Sequence, residues 1–248
     1  MTHSLSSIPH PLVYLHGWGL HGGIWAEAQA VLPGRAPDLP GYGVMPPVSP
    51  YSAESLADAV ASGLEAPVNL VGWSLGGMVA LALAVRHPGK VAKLVLVGTS
   101  PAFLNRPGWT LGLAPEVLDS FAADLAQDYR ATLLRFLALQ ARGGDGARNV
   151  VARLRETVFA RGEPLPVVLE AGLELLRTVD LRAVARDVSC PTLVVHGAHD
   201  NLCPVDAGRW LAEHLPQARL ARHEGASHAP FISHPDWFAK AVAEFLHG

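Results

Sequence analysis

The chain of 248 residues is poor in cysteine, in lysine and in charge generally, and each shortage narrows what it can be. Two cysteines, Cys190 and Cys203, are too few for a disulfide scaffold and lack metal-site spacing, so free thiols are expected. No apolar run reaches membrane-spanning length, and the first 15 residues lack a basic start and a continuous apolar core. Neither a membrane span nor a secretory leader is therefore expected. A formal charge of −3 gives no general attraction to nucleic acid. With 17% charged and 50% apolar residues, the composition is that of a compact enzyme and not of a disordered chain. The expectation is a cytoplasmic monomer with no metal and no organic cofactor.

What is present is a rhythm of strands and helices. Leu12–Leu15, Val68–Gly72, Val91–Val97 and Thr192–His196 are short apolar runs that read as buried parallel strands, with weaker strands near Arg35 and Ala218. Helical spacing occupies Ile24–Leu32, Ser52–Leu64, the stretch after Ser74 up to His87, Ala207–Leu215 and Trp237–Leu246. Between Pro101 and Asp187 the rhythm breaks. That stretch shows only helical spacing, in Val117–Leu125, Tyr129–Leu139, Val150–Phe159 and Val167–Leu176. The pattern predicts an α/β protein with a mostly parallel central sheet, helices on both faces and an inserted all-helical cap. Residues 1–100 and 188–248 form the core in this reading, and 101–187 the cap.

One junction carries the chemistry. The strand ending at Gly72 runs through Trp73-Ser74-Leu75-Gly76 straight into an alanine-rich helix. Glycine two residues before and two after a serine is what a very tight strand-to-helix turn demands, and such a turn is the nucleophile elbow of the α/β-hydrolase fold. Serine needs a base oriented by an acid, in the chain order Ser, acid, His. Asp200 lies just past the strand Thr192–His196. His228 lies in the loop Glu224–Pro230 after the last short strand, whereas His214 and His247 fall in helices, His223 ends a strand and His234 precedes a proline. Ser74, Asp200 and His228 are the predicted triad. Leu75 N–H and Trp18 N–H, in the loop His16–Gly19, are the predicted oxyanion donors. His16 is expected to brace that loop and not to act as a second base.

The third feature is arginine. Only Lys90, Lys93 and Lys240 are lysines, while residues 130–155 carry Arg130, Arg135, Arg142, Arg148, Arg153 and Arg155 against the single acid Asp145. Arginine suits paired hydrogen bonds to phosphate and carboxylate. Positions 135 and 142, like 148 and 155, are seven apart, which predicts that each pair shares a helix face. Phe121, Phe136 and Phe159 fall in the same segment, as packing or as the wall of an acyl channel.

His16–Leu20, Asp38–Gly43, Gly72–Gly77, Arg135–Gln140, Leu175–Arg182 and His228–Pro235 together resemble the pimeloyl-acyl-carrier-protein methyl ester carboxylesterases of biotin synthesis. The resemblance implies a serine esterase whose partner is an acyl-carrier protein bearing a methyl-esterified chain. It implies Trp18 and Leu75 as oxyanion donors and Leu20, Trp73, Phe121, Phe136 and Leu202 as the acyl pocket. Arg135 and Arg148 fall where that family contacts its carrier; at two further contact positions stand Ala131 and Ala152, with Arg130 and Arg153 one residue away. Only about ten residues precede the first strand, fewer than in the family, which implies a smaller sheet. The rivals are a generalist esterase or carbon–carbon bond hydrolase on the same scaffold and, from another class, a non-catalytic binding module.

Overall fold

The computed structural model describes residues 8–248; part of the leader-peptide expectation falls on residues 1–7, outside the described residues. Among the described residues, six strands form one sheet: β1 (Leu12–Leu15), β2 (Gly34–Arg35), β3 (Val68–Trp73), β4 (Val91–Val97), β5 (Thr192–Gly197) and β6 (Ala218–His223). They lie in the order β2-β1-β3-β4-β5-β6, and every neighbouring pair is parallel. Every residue of β1, β3 and β5 is buried, as strands covered on both faces should be. At the edge β2 stops after two residues, ahead of Pro37 and Pro40, which have no N–H for a ladder.

Helices α1 (Ala26–Val31), α2 (Ala53–Ser62) and α3 (Leu75–Arg86) connect the first four strands. The Ser52 side chain caps α2 by accepting from Ser55 N–H, as its place in the sequence predicts. The chain leaves β1 for β2 on one side and then crosses to β3 on the other. The crevice beyond the carboxyl ends of β1 and β3 is therefore the topological switch point, where parallel sheets bind ligands.

Between β4 and β5 the chain forms α4 (Pro115–Gln127), α5 (Tyr129–Gln140), α6 (Ala147–Val158) and α7 (Pro166–Thr178). Pro115 and Pro166 open their helices at positions that need no N–H, and the Asp128 carboxylate caps α5 through Ala131 N–H at 3.0 Å. One continuous buried apolar cluster runs from the strands into these helices, through Leu133, Phe136, Leu137, Leu169 and Leu173 among others. After β5 follow α8 (Val205–His214), α9 (Pro230–Ser233) and α10 (Pro235–His247).

One helical expectation fails. α5 ends at Gln140, and Gly143, at φ +83°, turns the chain toward α6. Arg142 therefore lies in a turn and does not share a helix face with Arg135. Arg148 and Arg155 do lie together on α6, lining a shallow depression with Ala147, Val151 and Ala152. Cys190 and Cys203 are free and buried, and among the described residues no helix is long and apolar enough to cross a membrane.

Candidate active site

The site stands on the carboxyl ends of the strands. Ser74 follows β3 directly with φ +55°, the only non-glycine residue at positive φ among the described residues. That strain persists because the surroundings leave no alternative. A Cβ on Gly72 would sit 2.4 Å from Gly76 O, and one on Gly76 would sit 2.4 Å from His16 O. Both glycines are thus required by close backbone approach. Ser74 N–H donates to Val97 O at 3.0 Å, and Thr99 Oγ1 donates to Ser74 O at 2.8 Å, tying the elbow to β4.

Beyond β5 and β6, the acid and base expected from chain order meet. His228 Nδ1 lies 2.8 Å from Asp200 Oδ2, with both side chains buried. Asp200 Oδ1 accepts from Leu202 N–H and Cys203 N–H, each at 2.9 Å, so the carboxylate is oriented by two charge-assisted bonds. With the proton on Nδ1 facing the carboxylate, the free lone pair of the imidazole is at Nε2. That atom is buried and makes no hydrogen bond among the described residues. Of the other candidate bases, His223 packs on His234 with ring centroids 3.8 Å apart, and His214 and His247 bond to carbonyls of their own helices.

Trp18 and Leu75 flank the elbow: Leu75 is the first residue of α3, and Trp18 follows Gly17, where a Cβ would lie 3.3 Å from Ser74 Cβ. Neither backbone N–H has a partner among the described residues. The loop carrying Trp18 is held from both sides. The Trp18 indole N–H donates to Leu169 O of α7 at 2.9 Å, and Gly19 N–H donates to the Tyr42 hydroxyl at 3.2 Å. His16 braces it as expected: Nε2 accepts from Leu39 N–H at 2.9 Å, which leaves Nδ1–H to donate to Gly17 O at 2.9 Å. Burial pushes the His16 pKa down to about 4, so it stays neutral near pH 7.

The five expected pocket residues separate into distinct environments. Leu20 and Leu202 are buried close to the loops of Trp18 and Asp200. Trp73 is a brace: its indole N–H donates to His228 O at 2.9 Å and its ring packs edge-on against Phe231. Trp18, Phe136 and Phe121 form a ladder of rings with centroid spacings of 4.8 and 5.6 Å. Phe121 then lines an open cavity of about 400 Å³ beside Arg135 and Asp124. A separate cleft of about 450 Å³ at the β2 edge, lined by Val13, Arg35, Met45, Val60 and Leu64 among others, contains none of the triad residues.

The six arginines divide equally. Arg130 pairs with Glu163 and lies over the Phe159 ring, Arg135 pairs with Asp124 at 2.8 Å, and Arg153 pairs with Glu27 at 3.0 Å and Glu156 at 3.5 Å. Arg142, Arg148 and Arg155 are exposed and have no acidic partner among the described residues.

Sequence reasoning missed several supports. Gly98, at φ +48°, leaves room for the acid–base pair, because a Cβ there would lie 2.7 Å from His228 O and 3.3 Å from Asp200 Oδ2. His196, fully buried on β5, lies 3.5 Å from Asp200 Oδ2 and 2.7 Å from Cys203 O, and burial lowers its pKa. The Gly98 position directly after a strand was a usable signal; the His196 contacts had none.

The alpha/beta hydrolase fold model matches residues 10–235. A pimeloyl-acyl-carrier-protein methyl ester esterase from Aromatoleum aromaticum is 46% identical, over 96% of this chain and 98% of that protein. One from Chromobacterium violaceum is 43% identical, over 95% and 93%. Among solved structures, an enol-lactonase from Burkholderia xenovorans superposes with a TM-score of 0.80 at 25% identity, covering 96% of this chain and 92% of that one. An esterase from Exiguobacterium antarcticum reaches 0.83 at 24% identity, over 96% and 92%, which speaks for the fold alone. The chain belongs to the α/β-hydrolase family, and within it to the group of the pimeloyl-acyl-carrier-protein methyl ester esterases.

Proposed function

We propose that the protein is a serine carboxylesterase that hydrolyses the methyl ester at the far end of a pimeloyl chain borne on an acyl-carrier protein, releasing methanol and the free carboxylate. The observation that carries this reading is the His228 imidazole, fixed at Nδ1 by Asp200, with an unpartnered, buried Nε2 and its ring centroid 5.5 Å from that of Trp73, the residue directly before Ser74. In this reading Nε2 takes the Ser74 proton as Oγ attacks the ester carbonyl, and the developing oxyanion is held by the N–H groups of Trp18 and Leu75. His228 then passes the proton to methanol, activates a water, and the acyl-serine is hydrolysed.

Family membership supports the substrate class, and the insertion supports the mode of recognition. Helices α4–α7 act as the cap, with Leu20, Trp73, Phe121, Phe136 and Leu202 lining the acyl path and the ring ladder leading outward from Trp18. Arg148 and Arg155 on α6, with Arg142 beside them in sequence, are the arginines free to meet acidic carrier side chains; Arg130, Arg135 and Arg153 would have to exchange an existing partner. We place the reaction in the cytoplasm, where free thiols persist, and read the protein as a monomer.

Ser74→Ala tests the chemistry. Ester hydrolysis should fall by several orders of magnitude with the fold unchanged, and labelling by a fluorophosphonate should vanish. A residual rate within about tenfold of wild type would remove Ser74 from its role.

A further inference from the structure

The turn between α5 and α6 touches both loops that carry the acid and the base, and it does so mainly through its backbone. Arg142 O accepts from Asn201 Nδ2 at 2.9 Å and from Ser227 Oγ at 3.2 Å. Asn201 follows Asp200 directly, and Ser227 directly precedes His228. Both side chains also donate to His199 O, Asn201 at 2.9 Å and Ser227 at 3.0 Å. The Asn201 amide has a proton for each carbonyl, while the Ser227 hydroxyl shares its single proton between them.

Around this junction the packing leaves little slack. Gln140 O accepts from His228 N–H at 3.1 Å, and Asp145 N–H donates to Gly225 O at 2.7 Å. A Cβ on Gly144 would lie 2.9 Å from Ser227 Cβ and from Ser227 N. The turn is therefore seated against the base loop along its length. Ser227 is buried, and loss of its hydroxyl would leave Asn201 as the one side chain, among the described residues, donating to the Arg142 and His199 carbonyls.

We infer that Asn201 and Ser227 are positioning residues of the esterase: by sharing the Arg142 carbonyl, they lock the loops of Asp200 and His228 together and set the alignment of the acid–base pair. The inference rests on the triad reading above. Neither side chain touches the reacting atoms; they act through the neighbours they precede or follow. A tight Asp200–His228 bond stabilises the imidazolium formed as Ser74 attacks, so loosening it should lower turnover more than substrate binding. The titratable groups facing His228 are Asp200 and, behind it, the buried neutral His196.

The test is steady-state hydrolysis of a p-nitrophenyl ester across pH by wild type, Ser227→Ala, Ser227→Thr, Asn201→Leu and the Ser227→Ala/Asn201→Leu double variant. The double variant is expected to lose about tenfold in kcat with KM within about twofold, toward the lower end of what losing two modest hydrogen bonds costs. The acid limb of its kcat profile should move to lower pH, because a poorly held carboxylate stabilises the imidazolium less. Ser227→Thr, which keeps the hydroxyl, should retain both the rate and the limb. A double variant that is folded by circular dichroism and shows wild-type kcat and an unmoved limb overturns the inference, as does a Ser227→Thr variant as impaired as Ser227→Ala. Failure of the triad reading would look different: hydrolysis by the wild type would then survive Ser74→Ala.

Discussion

His16 is fully buried with both ring nitrogens engaged, so protonating it costs the folded state the bond from Leu39 N–H. Its pKa is lowered from 6.5 to about 4, chiefly by burial. The unfolded chain therefore binds the proton first as pH falls. The associated stability is complete above pH 6.5 and is lost progressively between pH 6.5 and about 4, up to about 3 kcal/mol for this group. Chemical denaturation from pH 7 to 4.5 should show that slope, and His16→Gln should be less stable at pH 7 with a shallower decline. An unchanged slope in the variant would mean that other groups carry the acid sensitivity. The Ser74 backbone was legible from its flanking glycines for a similar local reason: only one conformation fits between Gly72 and Gly76. Ser227 was not legible, because its partners Arg142 and His199 lie on other loops, and the contacts of His196 with Asp200 and Cys203 leave no mark in the sequence.

In the proposed function, α6 carries the recognition surface. Arg148 and Arg155 sit two turns apart on one exposed face, and neither has an acid to neutralise it among the described residues. Replacing both with alanine should lower kcat/KM for a carrier-bound ester by about ten- to a hundredfold, near 1 kcal/mol or somewhat more per charged contact. Hydrolysis of a p-nitrophenyl ester should stay within about twofold. Arg135→Ala should do less to the carrier-bound reaction, since its guanidinium already holds Asp124. Equal losses on both substrates would show that the α6 arginines only stabilise the insertion. The seven-residue spacing read correctly for 148 and 155 and failed for 135 and 142, because spacing cannot tell where a helix stops. The Gly143-Gly144 pair was the available sign. The acids that engage Arg130, Arg135 and Arg153 come from Glu163, Asp124 and Glu27, outside the run in which the arginines were counted.

For the whole molecule, the sheet and the insertion follow from patterning: buried parallel strands read as continuous apolar runs, and a switch to helical spacing marks where the chain leaves the sheet. What patterning does not hold is depth: that Trp18, Phe136 and Phe121 form a ladder of rings is visible only in the folded chain. In the proposed function a serine esterase core receives its substrate through a helical insertion that carries as many acids as arginines overall but presents Arg142, Arg148 and Arg155 unpaired among the described residues. Comparing kcat/KM for a pimeloyl-carrier-protein methyl ester with that for a small methyl ester, at low and at raised salt, tests it directly. Exposed charges are screened over about 8 Å at physiological ionic strength and over less as salt rises. A preference of at least about tenfold for the carrier-bound ester is expected at low salt, shrinking as salt increases while the small ester is unaffected. Equal kcat/KM for the two esters at every salt concentration would contradict it.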